Sequence, residues 1–312
     1  MEIPNGLVLV GVCTYGRPNM LADLLRACSR LRAVPGLQLA LLVIDNDPAG
    51  SAAPAIGEAR CLMSIPIHYR TEETRGISNA RNRVLIEAIS LGAEYLALID
   101  DDEIMQPDWL VELFDMLKTS GADAVGAPVY WNLPETAPAW QHALPTSPQF
   151  ETSKKKPWLY PSTNNVLMRA RIYRELGIRF DPRFGMTGGE DTDFFKRAKD
   201  AGASYAFTKR AAVLETIPPS RLTLRWRFWR WAGVARGNVR MHRLQHGETS
   251  AWWHYLPRSL PKFLTGPALL ILAPIAGPET MLRGVKHLGG SVGILQELFR
   301  RTSEEYRTIH GS

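Results

Sequence analysis

The sequence has few cysteines and lacks the features that depend on them. Cys13, Cys28 and Cys61 give an odd count, and their spacing is not that of a metal site. We therefore expect reduced thiols in a cytosol-facing protein rather than a disulfide framework. Internal repeats are also lacking, which argues against a repeat architecture. The first residues lack a basic stretch followed by an apolar one, and this predicts that no signal peptide is present.

A long apolar run is missing as well. The most apolar stretch, residues 263–275, is shorter than the roughly 20 residues of a spanning helix, and Pro267 and Pro274 interrupt it. Basic residues and several aromatic side chains flank it, a combination typical of a membrane interface. We predict an interfacial or re-entrant segment that makes a peripheral membrane contact. A buried helix hairpin or an oligomer contact is the alternative.

Charge is distributed unevenly along the 312 residues, which carry a net charge of +6. The conspicuous acidic residues lie in the first two thirds, while residues 209–258 are rich in arginine and tryptophan. This asymmetry predicts an anionic substrate or surface near the C-terminal part. Because Pro218-Pro219 breaks the chain, we expect one domain over residues 1–217 and a helical region over residues 218–312.

Short apolar runs that end in polar residues indicate buried strands. Helical periodicity between them predicts an α/β fold with a doubly wound, mostly parallel sheet, in which ligands bind at the carboxyl ends of the strands. Three runs have this form: residues 7–12 lead to Thr14-Tyr15-Gly16-Arg17, residues 39–44 lead to Asp45, and residues 95–99 lead to Asp100-Asp101-Asp102-Glu103. Residues 132–158 have no clear period and predict a long loop over the site.

The acidic run after the third of these strands is the most distinctive motif. Adjacent like charges are unfavourable unless a cation lies among them. Mg²⁺ and Mn²⁺ prefer carboxylate oxygens, and Mg²⁺ is often shared between carboxylates and substrate phosphates. The acidic run therefore predicts a metal site for a phosphorylated donor. The alternative is that these acids only begin the next helix.

Three further motifs suggest chemistry. Arg75 and Arg81 lie near a predicted helix start, where Ser78 is expected as the capping residue. A helix start is a natural anion site, although the two arginines could equally face solvent. In Gly188-Gly189-Glu190-Asp191, the acids could simply interact favourably with the dipole of the helix that they begin, or Asp191 could act as a general base. Residues 225–231 alternate arginine with aromatic rings, which suits a diphosphate, a stacked ring or packing on the preceding domain.

Taken together, these motifs resemble those of glycosyltransferase family 2, the inverting, nucleotide-sugar-dependent enzymes of GT-A fold. The resemblance covers roughly residues 7–231, and five motifs in the expected order make it specific. It rests on Thr14-Tyr15-Gly16-Arg17-Pro18, Asp45, Gly76-Ile77-Ser78-Asn79-Ala80-Arg81-Asn82, Asp100-Asp101-Asp102 and Gly189-Glu190-Asp191. Arg227-Phe228-Trp229-Arg230-Trp231 is similar to a motif of processive members, but the long spanning helices of those enzymes are lacking, which favours transfer of one sugar or a few.

The resemblance implies a function and a set of roles. A sugar would pass from a nucleotide-diphosphate donor, expected to be a UDP-sugar, to a glycan or lipid-linked acceptor at the cytoplasmic face of the plasma membrane. Mn²⁺ or Mg²⁺ would be held by Asp100 and Asp102, and Asp191 would be the base, with Gly189 and Glu190 beside it. The residues implied at the donor are Thr14, Tyr15, Arg17, Asp45, Arg75, Arg81, Asp100, Asp101, Arg227, Arg230 and Trp231. Many relatives have a late histidine as a metal ligand, whereas this chain has Glu215.

Other functions explain the sequence less well. A nucleotidyltransferase would usually have a glycine-rich, basic loop after the first strand, and residues 12–16 are not of that kind. A non-catalytic, membrane-associated sugar-nucleotide-binding protein would not need Asp100, Asp102 and Asp191 together. A nucleic-acid partner is suggested only by the basic balance and the Arg/Trp segment, and we expect none.

Overall fold

A seven-stranded sheet forms the centre of the molecule. The computed structural model describes residues 6–142, 160–185 and 188–299. The strand order is β3-β2-β1-β4-β8-β6-β9, with β3, β2, β1 and β4 parallel and β8 antiparallel to both of its neighbours. The strands of this sheet are β1 (Gly6–Thr14), β2 (Leu37–Asp45), β3 (Ile67–Thr71), β4 (Tyr95–Asp100), β6 (Ala124–Gly126), β8 (Asn165–Arg169) and β9 (Tyr205–Phe207). The predicted mostly parallel α/β sheet is confirmed.

Helices cover both faces of this sheet, which explains why its central strands are apolar without alternation. Leu41, Leu42 and Val43 of β2 are all fully buried although they point to alternate faces. The chain passes through α1 (Pro18–Cys28), α2 (Ala53–Leu62), α3 (Ile77–Ser90), α4 (Trp109–Ser120), the single turns α5 (Ala139–His142) and α6 (Arg171–Arg174), and α7 (Glu190–Asp200). The predicted loop over residues 132–158 lies largely outside the described residues.

A second, three-stranded sheet joins the acidic end of β4 to the C-terminal part of the chain. It consists of β5 (Glu103–Met105), β10 (Val213–Thr216) and β7 (Val129–Asn132), with β10 in the middle. In its antiparallel register Glu215 lies opposite Glu103. The backbone N–H of Thr216 also donates to the carbonyl of Asp102, at 2.8 Å. Glu215 is thereby brought beside the acidic motif.

Three long helices follow: α8 (Leu224–His246), α9 (Glu248–Ala276) and α10 (Pro278–Leu298). Helix α10 packs between the other two, and glycines permit the close crossings. A Cβ at Gly289 would lie 2.5 Å from the carbonyl oxygen of Phe228 in α8, and one at Gly284 would lie 3.0 Å from the carbonyl oxygen of Gly266 in α9. The helical region expected from the sequence is thus present.

The expectation that prolines interrupt the apolar C-terminal stretch is wrong. Residues 263–275 lie inside α9, which runs for 29 residues with Pro257, Pro261, Pro267 and Pro274 in its interior. All four prolines are exposed. Since proline removes a backbone donor, its position on the exposed side avoids leaving that defect in a packed interface. By length and composition, α9 could cross a membrane.

Candidate active site

The acidic motif lies where β4 ends and turns into β5. Asp100 is the last residue of β4, and its side chain is 41% exposed. Asp101, Asp102 and Glu103 are almost completely buried. The backbone N–H of Asp100 donates to Glu103 Oε2 at 3.2 Å, and burial raises the pKa of Glu103 well above its usual value, with further contributions from Asp100, Asp102 and Glu215. Glu103 therefore supports the turn from within, while Asp100 faces the site.

Asp101 ties this turn to the end of β1. Its carboxylate accepts a 2.7 Å hydrogen bond from Thr14 Oγ1 and a 3.0 Å bond from Arg17 Nη1. Burial raises the pKa of Asp101 to about 7, opposed by Arg17 and reinforced by Asp102. The predicted donor residues Thr14 and Arg17 thus lie directly beside the acidic motif.

Asp102 is shared between two arginines. Its Oδ2 lies 3.3 Å from Arg17 Nη1 and 3.1 Å from Arg221 Nη1, and Arg221 also reaches Glu215 Oε1 at 3.0 Å. Burial raises the pKa of Glu215 to about 7; Asp102 raises it further and Arg221 lowers it. Sequence reasoning missed Arg221, because its partner Asp102 precedes it by 119 residues and no local pattern links the two.

Arg81 connects the acidic motif to the second acidic cluster. Its guanidinium forms an ion pair with Glu190 Oε1 and also lies 3.2 Å from Asp100 Oδ1. Among the described residues Glu190 Oε2 has no hydrogen-bond partner. Burial raises the pKa of Glu190 to about 7, opposed by Arg81 and reinforced by Asp191. The two motifs, 90 residues apart in the chain, are therefore joined by the buried guanidinium of Arg81.

Asp191 lies beside this ion pair at the start of α7. The turn before it uses Gly188 and Gly189 at φ values of 76° and 91°, which favour glycine. Asp191 is half-buried, and its Oδ2 accepts a 2.9 Å hydrogen bond from Ser162 Oγ. Of the two adjacent acids, Glu190 is enclosed and Asp191 is the one that solvent reaches. Sequence reasoning also missed Ser162, which belongs to none of the motifs.

Asp45 lies deeper than the sequence suggested. Its side chain is fully buried, and Oδ2 accepts hydrogen bonds from the Ala52 backbone N–H at 2.8 Å and from Tyr69 Oη at 3.0 Å. The next residue, Asn46, donates to the carbonyls of Glu72 and Thr74. Asp45 and Asn46 therefore fasten the loop that follows β3 to the end of β2.

Arg75 and Tyr15 meet at the same edge of the sheet, where the Arg75 guanidinium lies 4.8 Å from the centre of the Tyr15 ring. Helix α3 begins at Ile77, so the expectation that Ser78 caps it is wrong. Gly76 takes the capping position at φ 128°, and its N–H donates to Asn46 Oδ1 at 2.8 Å. The next donor, the Ile77 N–H, bonds to the carbonyl of Gly185 at 2.9 Å, so segments outside the helix satisfy its first two donors.

The Arg/Trp segment forms the first two turns of α8. Arg227 is buried, donates to Gln141 Oε1 at 2.8 Å and lies 4.3 Å from the centre of the Trp131 ring. Burial lowers the pKa of Arg227 to about 10, partly opposed by Glu215. Arg230 is exposed but close enough to lower the pKa of Glu215, after the larger effects of burial, Asp102 and Arg221. Trp231 is half-buried.

The fit of a divalent cation depends on the donor set. Asp100 and Asp102 offer the hard carboxylate oxygens that Mg²⁺ and Mn²⁺ prefer, and Asp100 is accessible. Within the described part of the chain, no three His, Cys, Asp or Glu side chains are grouped closely enough to hold a metal ion. The carboxylate pair thus fits a cation completed by substrate oxygens, and Asp102 also accepts from Arg17 and Arg221.

The sheet order and the acidic strand end define a GT-A glycosyltransferase fold. Residues 4–233 match the family described as glycosyltransferase like family 2, and the chain belongs to this family. It is 34% identical over 290 residues, covering 92% of each chain, to the succinoglycan biosynthesis protein ExoM of Rhizobium meliloti (strain 1021). The family resemblance inferred from the sequence is therefore confirmed.

Two solved structures share the fold at low identity. The mannosyltransferase PcManGT from Pyrobaculum calidifontis, in complex with GDP-Man and Mn²⁺, has a TM-score of 0.63 at 14% identity, over 95% of this chain and 88% of that one. S. aureus TarS 1–349, in complex with UDP-GlcNAc, has a TM-score of 0.54 at 13% identity, over 96% of this chain and 93% of that one. The GT-A assignment is consistent with both.

Proposed function

We propose that the protein is an inverting glycosyltransferase that moves one sugar, or a few, from a nucleotide-diphosphate sugar to an acceptor hydroxyl. The observation that supports it most strongly is the buried Arg81, which contacts both Asp100 and Glu190. This contact brings the candidate base, Asp191, into the same site as the carboxylates that face the donor. A binding protein would not require that convergence.

In the proposed reaction, Asp191 accepts the proton of the acceptor hydroxyl. The hydroxyl oxygen then forms a bond to the anomeric carbon while the bond from that carbon to the donor's diphosphate oxygen breaks, which inverts the configuration. Ser162 holds Asp191 through a 2.9 Å hydrogen bond. Glu190 is a poorer candidate for the base because its side chain is only 4% exposed and is paired with Arg81.

Negative charge builds up on the leaving diphosphate, and cationic groups offset it. Arg17 and Arg221, which contact Asp102, are the side chains we propose for this role, together with the exposed Arg75 that lies over the Tyr15 ring. Arg227, Arg230 and Trp231 remain proposed at the donor. A bound Mn²⁺ or Mg²⁺ would be held by Asp100 and Asp102 and would supply further neutralisation of the diphosphate.

We further propose a UDP-sugar as donor and a glycan or lipid-linked acceptor in bacterial surface polysaccharide synthesis. A relative named for succinoglycan biosynthesis and a structural neighbour that binds UDP-GlcNAc support this choice. The protein would work at the cytoplasmic face of the plasma membrane. The division into a catalytic domain over residues 1–217 and a C-terminal region over residues 218–312 remains part of the proposal.

A thermal-shift screen of nucleotide sugars, with and without Mn²⁺, tests the donor. We expect one UDP-sugar to raise the melting temperature more in the presence of Mn²⁺ than in EDTA. Hydrolysis of that donor, followed as UDP release, then tests the chemistry. If instead a nucleoside triphosphate and a sugar phosphate gave diphosphate, the protein would be a nucleotidyltransferase and the proposal would be wrong.

A further inference from the structure

Helix α9 has an apolar stripe that the rest of the described chain leaves uncovered. Trp253, Leu260, Leu264, Ile271 and Ile275 are 77%, 54%, 75%, 77% and 92% exposed. They follow one another at intervals of 7, 4, 7 and 4 residues. At about 100° per residue they fall within roughly 60° of one another around the helix, over a length of roughly 33 Å. They therefore form one continuous line along α9.

This line contains no charged side chain, and no other described helix packs over it. The exposed positions between these residues on the same face hold Pro257, Pro267 and Ala268, so the face carries no charge. The buried residues of α9, Ala251, Ser259 and Gly266, lie on the opposite side against the other helices. An apolar face of this length is more than the scattered apolar residues of an ordinary surface.

Basic residues lie on the side of α9 opposite the stripe and on α10. Arg258 and Lys262 are exposed on α9, roughly 130° and 170° around the helix from the centre of the stripe. His287 on α10 bonds to Thr265 of α9, with 3.0 Å between Nδ1 and Oγ1. Burial lowers the pKa of His287, and Lys262, Arg283 and Lys286 lower it further, so these three cations lie near this contact between α9 and α10. The described acids of the hairpin lie near its ends: Glu279 at the turn between the helices, and Glu248 and the buried Glu297 at the other end, where both pair with Arg243. An apolar face with cations on the opposite, polar face is typical of helices that lie on anionic membranes.

Composition favours a lipid surface as the occupant. By length and composition α9 is the one described helix apolar enough to cross a membrane, and the cations on its polar side suit the anionic headgroups of a bilayer. A second copy packed stripe to stripe would leave Arg258 and Lys262 facing away from the interface, and the contact would supply no anion for them.

We propose that the outer face of α9 docks on an anionic phospholipid bilayer, with the Trp253–Ile275 stripe at the level of the acyl chains and Arg258, Lys262, Arg283 and Lys286 among the headgroups. This refines the proposed membrane location and rests on it. Helix α8 connects the docked hairpin to the site: a Cβ at Gly237 would lie 3.5 Å from the carbonyl oxygen of Gly188, just before Asp191. The bilayer would therefore be held in a defined orientation to the candidate base.

Flotation of the full-length protein with vesicles tests this surface. We expect binding to vesicles of phosphatidylcholine that contain about one third phosphatidylglycerol, an anionic lipid. Binding to pure phosphatidylcholine, or to the same vesicles at high salt, should be about tenfold or more weaker. The double variant Leu264→Glu/Ile271→Glu should lose binding about tenfold or more. Leu62→Glu, at a 62% exposed leucine on α2, is the matched control and should bind as the wild type does.

The outcomes separate clearly. Exposed positions tolerate such changes, and unaltered circular dichroism and melting temperature would confirm that the double variant is folded. Equal flotation of wild type and double variant would overturn the proposal. The proposal would also be overturned if, without vesicles, the wild type sedimented as a dimer and the double variant as a monomer, since the stripe would then bind a second copy of the chain. Donor binding measured without vesicles reports on the proposed activity separately.

Discussion

Arg81 and Glu190 form an ion pair that is almost completely enclosed, with side chains 7% and 4% exposed. It links helix α3 to the segment that holds the candidate base. Burying charges is costly unless they are paired. The pair therefore persists only while both segments keep their positions, and it fixes Asp191 relative to the end of β4.

Removing one partner of this pair should destabilise the protein, because it leaves the other charge buried alone. We expect Arg81→Gln to lower the free energy of unfolding by about 3 kcal/mol at pH 8. The loss should be smaller at pH 6, where an isolated Glu190 can bind a proton. Urea unfolding followed by fluorescence measures both values. In Arg81→Gln/Glu190→Gln part of the loss should be recovered; purely additive effects would contradict direct coupling.

The role of Asp191 can be separated from donor binding. Asp191→Asn keeps the size of the side chain and removes its basicity, so turnover should fall by about 10²–10⁴-fold. The donor Kd, measured by calorimetry, should change little. Ser162→Ala is expected to have a smaller effect on turnover, because Ser162 only orients the carboxylate. Weaker donor binding with turnover preserved would show that Asp191 is not the base.

Much of the fold could be predicted because it depends on local patterns. Apolar runs of strand length that end in polar residues identified β1, β2 and β4, and their order predicted the parallel part of the sheet. The acidic run after β4 and the glycine pair before Glu190 were visible for the same reason. Each is a short segment whose composition departs from that of its neighbours.

Contacts between distant segments could not be predicted. Arg221 reaches Asp102 and Ser162 reaches Asp191 only because the second sheet and α7 bring their segments together. A single serine or arginine in a loop has no periodicity to mark it. The prolines of α9 misled for a related reason: their penalty depends on which face of the helix they occupy, and that face is set by the neighbouring helices.

The metal prediction rests on Asp102. In wild type, donor binding should weaken about tenfold or more when EDTA replaces Mn²⁺. Asp102→Asn should bind the donor weakly both with Mn²⁺ and with EDTA, because the variant has lost a carboxylate that holds the cation. Asp115→Asn, at an exposed position of α4, is the control and should retain the full response. A response to Mn²⁺ that survives in Asp102→Asn would mean that Asp102 is not a ligand.

Stability should depend on pH through the buried carboxyl groups. Burial raises the pKa of Glu190 to about 7 from its usual 4.5, so the folded protein binds this proton more tightly than the unfolded chain does. The resulting stabilisation is complete below about pH 4.5 and is lost as the pH rises through about 7. The free energy of unfolding of the metal-free protein should therefore fall between pH 5 and pH 8.

Glu190→Gln should make that fall smaller without removing it, since Asp101 and Glu215 also have a pKa of about 7. Glu58→Gln, at an exposed position of α2, should leave the slope as it is. A wild-type stability that rises over this range would show that Glu190 is more easily ionised in the folded protein than its burial suggests.

The helix crossing between α8 and α10 gives a test with a control three residues away. A Cβ at Gly293 would overlap the carbonyl oxygen of Ala232, whereas one at Gly290 would meet nothing within 4 Å. Because backbone cannot move aside as a flexible side chain does, Gly293→Ala should cost about 1–3 kcal/mol. Gly290→Ala should be neutral or stabilising by up to about 1 kcal/mol, since alanine favours the helix. Thermal unfolding compares the two, and equal melting temperatures would mean that α8 and α10 are not held at this close approach.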